Sequence, residues 1–218
     1  MFFIITKKTG IIFSLIALTF TLSLPAQKDP EAVKVLTDFS RKASSAPSVK
    51  IGFTLVTDDS REGTTEKVPG SAVISDDKYV LDLPDNKVWS DGKTVWSYLP
   101  DVNEVTITEP DPEDKSFASK PSLLFSLYKE GYKIRLVEQT AREWVIDLYP
   151  EDINVNMIHI RLKIGKSDLD LESAEYRTKD GITVTLTTDK YDLSFRPGSG
   201  YFTFDPAGHK GVEVVDMR

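Results

Sequence analysis

The chain contains no cysteine and only two histidines, His159 and His209, among its 218 residues. The absence of cysteine excludes disulfide bonds, cysteine-ligated metal centres, thiol nucleophiles and a lipid-modified N-terminal cysteine. A folded chain of this kind must be held together by its hydrophobic core without covalent cross-links. His159 alternates with Arg161 and Lys163 along a candidate strand, and this alternation predicts that its side chain lies on a solvent-exposed face.

Recognisable catalytic motifs are also missing. The sequence contains no Gly-x-Ser-x-Gly nucleophile turn, no phosphate-binding glycine loop and no His-Glu-x-x-His zinc motif. A secreted hydrolase of acylated substrates would need an activated nucleophile, which the sequence does not display. We therefore expect a protein that is not an enzyme and that has no catalytic residues, no metal site and no cofactor.

Basic charge is scarce relative to acidic charge. The chain has 27 Lys and Arg residues against 34 Asp and Glu residues, which gives a formal net charge of −7. Phosphate backbones and anionic surfaces are repelled by such a molecule, so nucleic acid is not an expected partner.

The one long apolar run lies at the N-terminus. Lys7 and Lys8 precede a 14-residue apolar run over residues 11–24, and Leu24-Pro25-Ala26 ends in a small residue that a signal peptidase can cleave after. A membrane-spanning helix needs about 20 apolar residues, so this length favours a cleaved signal over an uncleaved anchor, which stays open as an alternative. We predict a secretory signal peptide over residues 1–26 and one exported, soluble domain over residues 27–218.

An aromatic hairpin over residues 87–100 is the most informative stretch that the sequence does contain. Asp91-Gly92 can supply the central residues of a type I′ turn, and β-branched and aromatic residues flank it. Trp96 and Tyr98 fall on one face of the second strand, whereas Val95 and every second residue after it fall on the other. Large rings in a chain without a catalytic set favour the binding of an apolar ligand.

Two helices are predicted from the pattern of apolar residues. Asp29-Pro30 marks a helix start, apolar residues recur at helical spacing from Ala32 to Ala43, and Pro47 ends the run. A second, short helix is predicted from residue 120 to near Gly131. Its apolar face is made of Leu123, Leu124, Leu127 and Tyr128, with Phe125 pointing elsewhere.

The remaining sequence is dominated by short strand patterns. Residues 49–55 alternate with period two, and polar residues 58–69 predict a long hairpin loop. We count about eleven strands with hairpin-length connections, so the predicted fold is mainly β (α+β) and antiparallel, and more strands than a filled eight-stranded barrel leave room for a cavity. The further strand candidates are residues 70–75, 78–83, 88–89, 94–99, 102–108, 132–138, 144–149, 156–164, 172–177, 182–187, 193–196 and 201–204.

Three sequence blocks lie in order along the chain: VWSDGKTVWSY over residues 88–98, PSLL over residues 121–124, and YFTFDP over residues 201–206, followed by GVEV over residues 211–214. Together they resemble the LolA lipoprotein carriers. The blocks match that family's Ser-Asp-Gly-x-x-x-Trp-x-Tyr signature, the start of its lid helix and its Phe-x-Phe-x-Pro…Gly-Val-x-Val ending. The helix leading into residues 48–54 is similar too, so the resemblance extends over nearly all of residues 27–218.

This resemblance implies an incomplete, strongly curved antiparallel β-barrel with an N-terminal helix and a short central lid helix. It also implies a periplasmic chaperone that takes acylated lipoproteins from an inner-membrane ABC-type lipoprotein-releasing complex and delivers them to an outer-membrane acceptor. We further expect this protein to be soluble and monomeric. An envelope sensor or regulator that binds lipid or lipoprotein without carrying it is the alternative, and a dedicated partner-binding domain would favour it.

The candidate ligand site combines the hairpin, the first strand and the predicted lid. We predict that an acyl-chain cavity is lined by Phe53, Leu55, Trp96 and Tyr98 and covered by lid residues Leu123, Leu124, Leu127 and Tyr128. Family members place an Arg-Pro pair after the strand that begins at Gly70, and its arginine binds lid carbonyls. Here residues 75–78 read SDDK, so another group must hold the lid or the lid is loose.

Overall fold

Over residues 28–111 and 120–218, which this computed structural model describes, the chain forms one curved, unclosed twelve-stranded sheet and one α-helix. The predicted mainly β class and the open-barrel architecture are confirmed, and the predicted signal peptide lies outside the described residues. The strands are β1 (Val49–Asp59), β2 (Thr64–Ser75), β3 (Lys78–Asp82), β4 (Lys87–Ser90), β5 (Val95–Leu99), β6 (Glu104–Thr108), β7 (Tyr132–Gln139), β8 (Glu143–Pro150), β9 (His159–Gly165), β10 (Leu171–Arg177), β11 (Ile182–Asp192) and β12 (Glu213–Asp216).

The strand order across the sheet is β12-β6-β5-β4-β3-β2-β1-β11-β10-β9-β8-β7. Neighbouring strands are antiparallel, except that β12 runs parallel to β6. The expected antiparallel sheet therefore needs one correction, which arises because the chain returns to the β6 edge after passing through the whole opposite half of the sheet.

Helix α1 (Pro30–Ser44) begins where the sequence predicts. Asp29 caps it, because its Oδ1 accepts the backbone N–H groups of Glu31 (3.0 Å) and Ala32 (3.2 Å). The helix packs its apolar stripe against the concave face of the sheet. The buried members of that stripe are Ala32, Val35, Leu36, Phe39 and Ala43.

Asp29 also covers the free edge of β7. Its backbone N–H donates to the Ile134 carbonyl (3.1 Å), and its Oδ2 accepts the Leu136 N–H (3.4 Å). A register shift between Leu136 and Glu138 further distorts this edge. The Asp29 hydrogen bonds and the register shift both hinder another strand from pairing with the backbone groups of this edge.

The alternation of side chains in β1 decides which residues face α1. Val49, Ile51 and Phe53 are buried on the concave face. The pairing of β1 with β2, and then of β3, β4 and β5 in turn, shows that Val95 of β5 lies on this same face. Trp96 consequently lies on the convex face, opposite to our prediction.

A second core covers the convex face of β3 to β6. It joins Trp89, Val105 and Tyr98 to a C-terminal segment that contributes Phe204 and His209. The rings of Trp89 and Phe204 lie 5.4 Å apart, and those of Tyr98 and His209 lie 4.6 Å apart. This segment is held by ring contacts, and residues 193–196 and 201–204, predicted as strands, are turns and irregular backbone.

Three local predictions are wrong for identifiable reasons. Strands β1 and β2 extend through most of the predicted loop over residues 58–69, because threonines and charged residues pair across a hairpin tip that is solvated. The turn after β4 is not type I′, since only Gly92 has a positive φ (+90°) and Asp91 Oδ1 instead accepts the Lys93 and Thr94 N–H groups at 2.8 Å. The predicted second helix is a pair of 3₁₀ turns, Pro121–Phe125 and Leu127–Lys129.

The prediction that His159 is exposed is also wrong. Its side chain is buried on the convex face beside the Tyr149 ring, and its Nε2 lies 3.3 Å from Glu175 Oε1. Within the described ranges, no helix is long and apolar enough to cross a membrane.

Candidate functional site

The concave face has a half that α1 fills and a half that stays open towards one rim of the sheet. Five turns form this rim, which we call the mouth rim: residues 60–63, 83–86, 100–103, 151–158 and 178–181. They share one end of the sheet because β1, β3, β5, β8 and β10 all run towards it. Half-buried apolar side chains line the open half, which we call the trough: Leu55, Leu83, Tyr132, Met157, Tyr176 and Leu186.

Gly70 allows the floor of the trough to close around an aromatic ring. A Cβ atom at Gly70 would lie 2.5 Å from Cε2 of Phe53 and 2.7 Å from Cδ2 of Leu83. The Phe53 side chain, 3 % exposed, therefore packs directly over the backbone of β2. No other residue type fits this position without displacing the ring.

Residues 120–129, which we call the lid segment, cross the concave face beside α1. Leu124 and Phe125 are buried, and the Phe125 ring lies 5.4 Å from that of Phe39 on α1. The prediction that Phe125 points away from the core is wrong because a 3₁₀ helix has three residues per turn and directs neighbouring side chains differently from an α-helix. Leu123 and Tyr128 are half-buried against the same core, and the side chain of Leu127 lies outside the described part of the structure.

Two lysines tie the lid segment to the rest of the molecule. Lys28 Nζ donates to the Tyr128 carbonyl (3.3 Å) and to the Lys129 carbonyl (2.9 Å). At the other end, Lys120 Nζ lies 3.5 Å from Asp77 Oδ1. Short 3₁₀ turns with so few polar ties belong to the regions that open most readily.

A cavity of about 290 Å³ lies beneath the lid segment. Ala43, Val49 and Phe125 contribute apolar walls, whereas serines and charged side chains, among them Asp77 and Lys120, form the rest of its lining. This volume is at the lower end of the roughly 300–1,000 Å³ of ligand sites, so a long chain needs the segment to move. A larger, open groove of about 470 Å³ lies on the convex face beside the C-terminal segment, between Leu83 on one side and Tyr98 and His209 on the other.

The predicted site residues divide between the two faces of the sheet. Phe53, Leu55, Leu123, Leu124 and Tyr128 belong to the core under α1. Trp96 and Tyr98 do not join them, because both pack in the convex core. That correction follows from strand pairing, which places Trp96 opposite Trp89 and hence opposite the face of Phe53.

Several trough residues were missed because their strands carry few aromatic residues. Leu186 pairs directly with Leu55, and Tyr176 follows on the same face through Val184. These residues could have been found from the period-two pattern of β10 and β11, once strand pairing had shown which of their side chains share a face with Phe53. Leu83 and Met157 lie in connections between strands, where periodicity does not indicate which face of the sheet a side chain occupies.

Three tyrosine phenols lie among the partly buried side chains of the concave face. Burial raises the pKa of Tyr132, Tyr176 and Tyr191, so all three stay protonated at neutral pH. A neutral, apolar lining suits a ligand without charge. Among the described residues, no group of three or more His, Asp or Glu side chains is arranged to hold a metal ion.

The ion pair that is best satisfied lies on the convex face. Asp147 is fully buried and accepts from Arg161 Nε (2.7 Å), Arg161 Nη2 (2.8 Å) and the Tyr149 hydroxyl (2.9 Å). Burial by itself raises the pKa of Asp147, but the hydrogen bonds from Arg161 and Tyr149 outweigh it and lower this pKa below its ordinary value.

A family model described as "Outer membrane lipoprotein carrier protein LolA" matches residues 22–162. The chain belongs to the LolA family. No curated protein matches it in sequence. A solved structure of an uncharacterised conserved protein from Thermus thermophilus superposes with a TM-score of 0.54 at 14 % identity, over 85 % of this chain and 99 % of that one.

A LolA superfamily protein from Nitrosomonas europaea gives a TM-score of 0.44 at 12 % identity, over 80 % of this chain and 98 % of that one. The similarity to the Thermus protein supports the fold, and the open sheet with its N-terminal helix agrees with membership of the LolA family.

Proposed function

We propose that this protein is a periplasmic chaperone that binds the acyl chains of lipoproteins and carries them from the inner to the outer membrane. The observation that supports the proposal is the trough, a neutral, half-buried apolar surface on the same concave face as a lid segment that has few polar ties. In the LolA family, this arrangement suits binding and release without catalysis, so we propose a carrier and not an enzyme.

Acyl chains need such a cover in water. Each CH₂ group contributes about 0.8 kcal/mol when buried, so exposing one long chain costs on the order of 10 kcal/mol. A chain lying along the trough would replace water on Leu55 and Leu186 and would displace the lid segment from the 290 Å³ cavity. We propose that Phe53, Leu55, Leu123, Leu124, Leu127 and Tyr128 contact it.

The proposed route requires export and two membrane partners. Residues 1–26 would be removed as a signal peptide, leaving residues 27–218 as one soluble, monomeric domain in the periplasm. Cargo would come from an inner-membrane ABC-type lipoprotein-releasing complex and pass to an outer-membrane acceptor. Mass spectrometry of the protein from its own envelope should find Gln27 at the N-terminus, and an intact Met1 on membrane-bound material would contradict the export step.

Native mass spectrometry of the same material tests the proposed cargo directly. We expect a fraction of the protein to carry acylated polypeptide. A second measurement uses an apolar fluorescent dye, which should bind the purified protein and be displaced by a synthetic triacylated peptide. If saturating triacylated peptide leaves the dye signal unchanged, the carrier function is wrong.

Strand β11 offers a matched pair of variants for the dye experiment. Leu186→Glu introduces a carboxylate into the trough and should weaken dye and peptide binding strongly, because an unpaired charge on an apolar surface is costly. Thr187→Glu introduces the same carboxylate one residue further, on the exposed convex face, and should bind like the wild type. Binding of acylated peptide without transfer between membranes would instead indicate a sensor.

A further inference from the structure

Exposed aliphatic side chains are concentrated on the mouth rim. The described residues include eight large hydrophobic side chains that are exposed, and five of them, Leu99, Val102, Ile153, Val155 and Ile158, belong to this rim or the strand end beside it. Ile153 is 80 % exposed and Val102 is 65 % exposed. Isolated exposed aliphatic residues are common, but a concentration of them on one rim marks an interaction surface.

The β8–β9 connection holds Ile153 outward by hydrogen bonds to its backbone. Asp152 Oδ1 accepts the Asn154 N–H at 2.8 Å, and the Lys179 ammonium donates to the Ile153 carbonyl. The Ile158 N–H donates to the Arg177 carbonyl at 2.8 Å. The tip is thus braced on both sides, and the exposure of Ile153 is built into the connection.

The β5–β6 turn presents Val102 in a similar way across the mouth. The Asn103 N–H donates to the Pro100 carbonyl at 3.2 Å, and Asn103 Oδ1 accepts the Tyr98 hydroxyl at 3.0 Å. Tyr98 is itself anchored in the convex core. Two braced aliphatic tips therefore stand on opposite sides of the trough opening.

The charges beside these tips indicate which surface they fit. Asp101 precedes Val102, and Glu151 and Asp152 precede Ile153, so these carboxylates outnumber the Lys179 ammonium that lies beside the Ile153 carbonyl. Such carboxylates would be repelled by anionic lipid but complement the ammonium groups of zwitterionic headgroups. One flat, apolar layer behind those headgroups could receive both tips at once.

Resting on the lipid-carrying function proposed above, we propose that the mouth rim docks on a zwitterionic phospholipid bilayer. Val102 and Ile153 insert below the headgroups, and the trough opening faces the bilayer from which an acyl chain enters or into which it leaves. Leu99 and Ile158, on the concave side of the rim, extend the apolar surface from the tips into the trough.

Vesicle flotation with the full-length mature protein tests this docking. Vesicles of phosphatidylcholine and phosphatidylethanolamine should carry the wild type upward, and replacing a third of the lipid by phosphatidylglycerol should weaken binding. The double variant Val102→Asp/Ile153→Asp should lose about tenfold in the bound fraction. Met217→Asp is the matched control, because Met217 is 68 % exposed on the last residues beyond β12 and should leave flotation unchanged.

The same proteins are then tested for dye binding in solution. This measurement reports on ligand binding in the trough and does not depend on docking to a bilayer. We expect Val102→Asp/Ile153→Asp to bind the dye as the wild type does. The mouth rim is not a bilayer-docking surface if the wild type fails to float, or if Val102→Asp/Ile153→Asp floats as well as the wild type. The same conclusion follows if Met217→Asp reduces flotation as much as the double variant does. The result of the dye experiment does not change this conclusion. Loss of dye displacement by acylated peptide with flotation intact would overturn the carrier function and leave the docking surface standing.

Discussion

Replacing Lys28 with methionine should loosen the lid segment while leaving the sheet intact. The substitution keeps most of the aliphatic stem and removes the ammonium group that donates to the Tyr128 and Lys129 carbonyls. Those carbonyls lie at the end of the second 3₁₀ turn, where backbone acceptors lack partners within the helix.

The size of the effect follows from the exposure of the two hydrogen bonds. Bonds to charged groups contribute about 1.5–3 kcal/mol each when well shielded, but solvent competes for both of these, and a combined contribution of about 1 kcal/mol is reasonable. Since 1.4 kcal/mol is a factor of ten, the open population of the lid segment should rise about fivefold. Hydrogen–deuterium exchange of peptides over residues 121–129 should accelerate by that factor.

Two controls separate this effect from a general loss of stability. Lys28→Arg retains a cation and should exchange close to the wild-type rate. Lys34→Met removes an exposed lysine of α1 whose ammonium donates to Asp38 on the same helix, and should leave the lid segment unchanged. If Lys28→Met leaves exchange over residues 121–129 at the wild-type rate, or accelerates β8 and β9 equally, Lys28 does not hold the lid segment.

Three further substitutions probe the lid, the floor and the convex ion pair. Leu124→Glu should open the lid segment and lower lipoprotein uptake, because a buried unpaired carboxylate costs several kcal/mol, with an unchanged circular dichroism spectrum as the control. Gly70→Ala should lower the melting temperature by several degrees in calorimetry, since its Cβ would meet the Phe53 ring and overpacking costs about 1–3 kcal/mol. Asp147→Asn should reduce the free energy of unfolding at neutral pH. Because folding lowers the pKa of Asp147, the stabilisation by its pairing with Arg161 is present above about pH 4 and lost as the pH falls through the lowered pKa. Denaturant titrations should therefore show the two proteins converging in acid, and a constant difference would contradict this pairing.

Features set by local chemistry could be predicted from the sequence. The start of α1 follows from a capping aspartate and a proline, and the buried face of β1 follows from strict alternation of apolar residues. The LolA family resemblance depended on the hairpin around Asp91-Gly92, and the family match confirms it. These signals need no knowledge of distant residues.

The facing of the aromatic hairpin could not be predicted in the same way. Periodicity separates Trp96 from Val95 but does not say which of the two faces α1. That choice depends on the pairing of β1 with β2 and onward to β5, and on Phe204, which supplies a convex partner for Trp89 from more than a hundred residues away. The size of the rings led us to predict a ligand site, whereas the rings pack in a second core.

Short elements were missed because their local signal is weak. Strand β12 contains four residues and exists through its pairing with β6. The lid segment follows a helical apolar pattern, yet Pro121 and the contact of Phe125 with Phe39 favour 3₁₀ turns. Tertiary contacts decide both.

The parallel pairing of β12 with β6 gives the molecule an order of assembly. Val105, fully buried in the finished protein, stays uncovered until Phe204 and the strand beyond it arrive. A chain that emerges from its N-terminus would therefore complete the first core once β11 is present, and the second only when Phe204 and β12 follow. During that interval the partly assembled sheet exposes an aromatic surface that is prone to aggregation. Holdase chaperones and late truncations should therefore act on this step of maturation more than on any other.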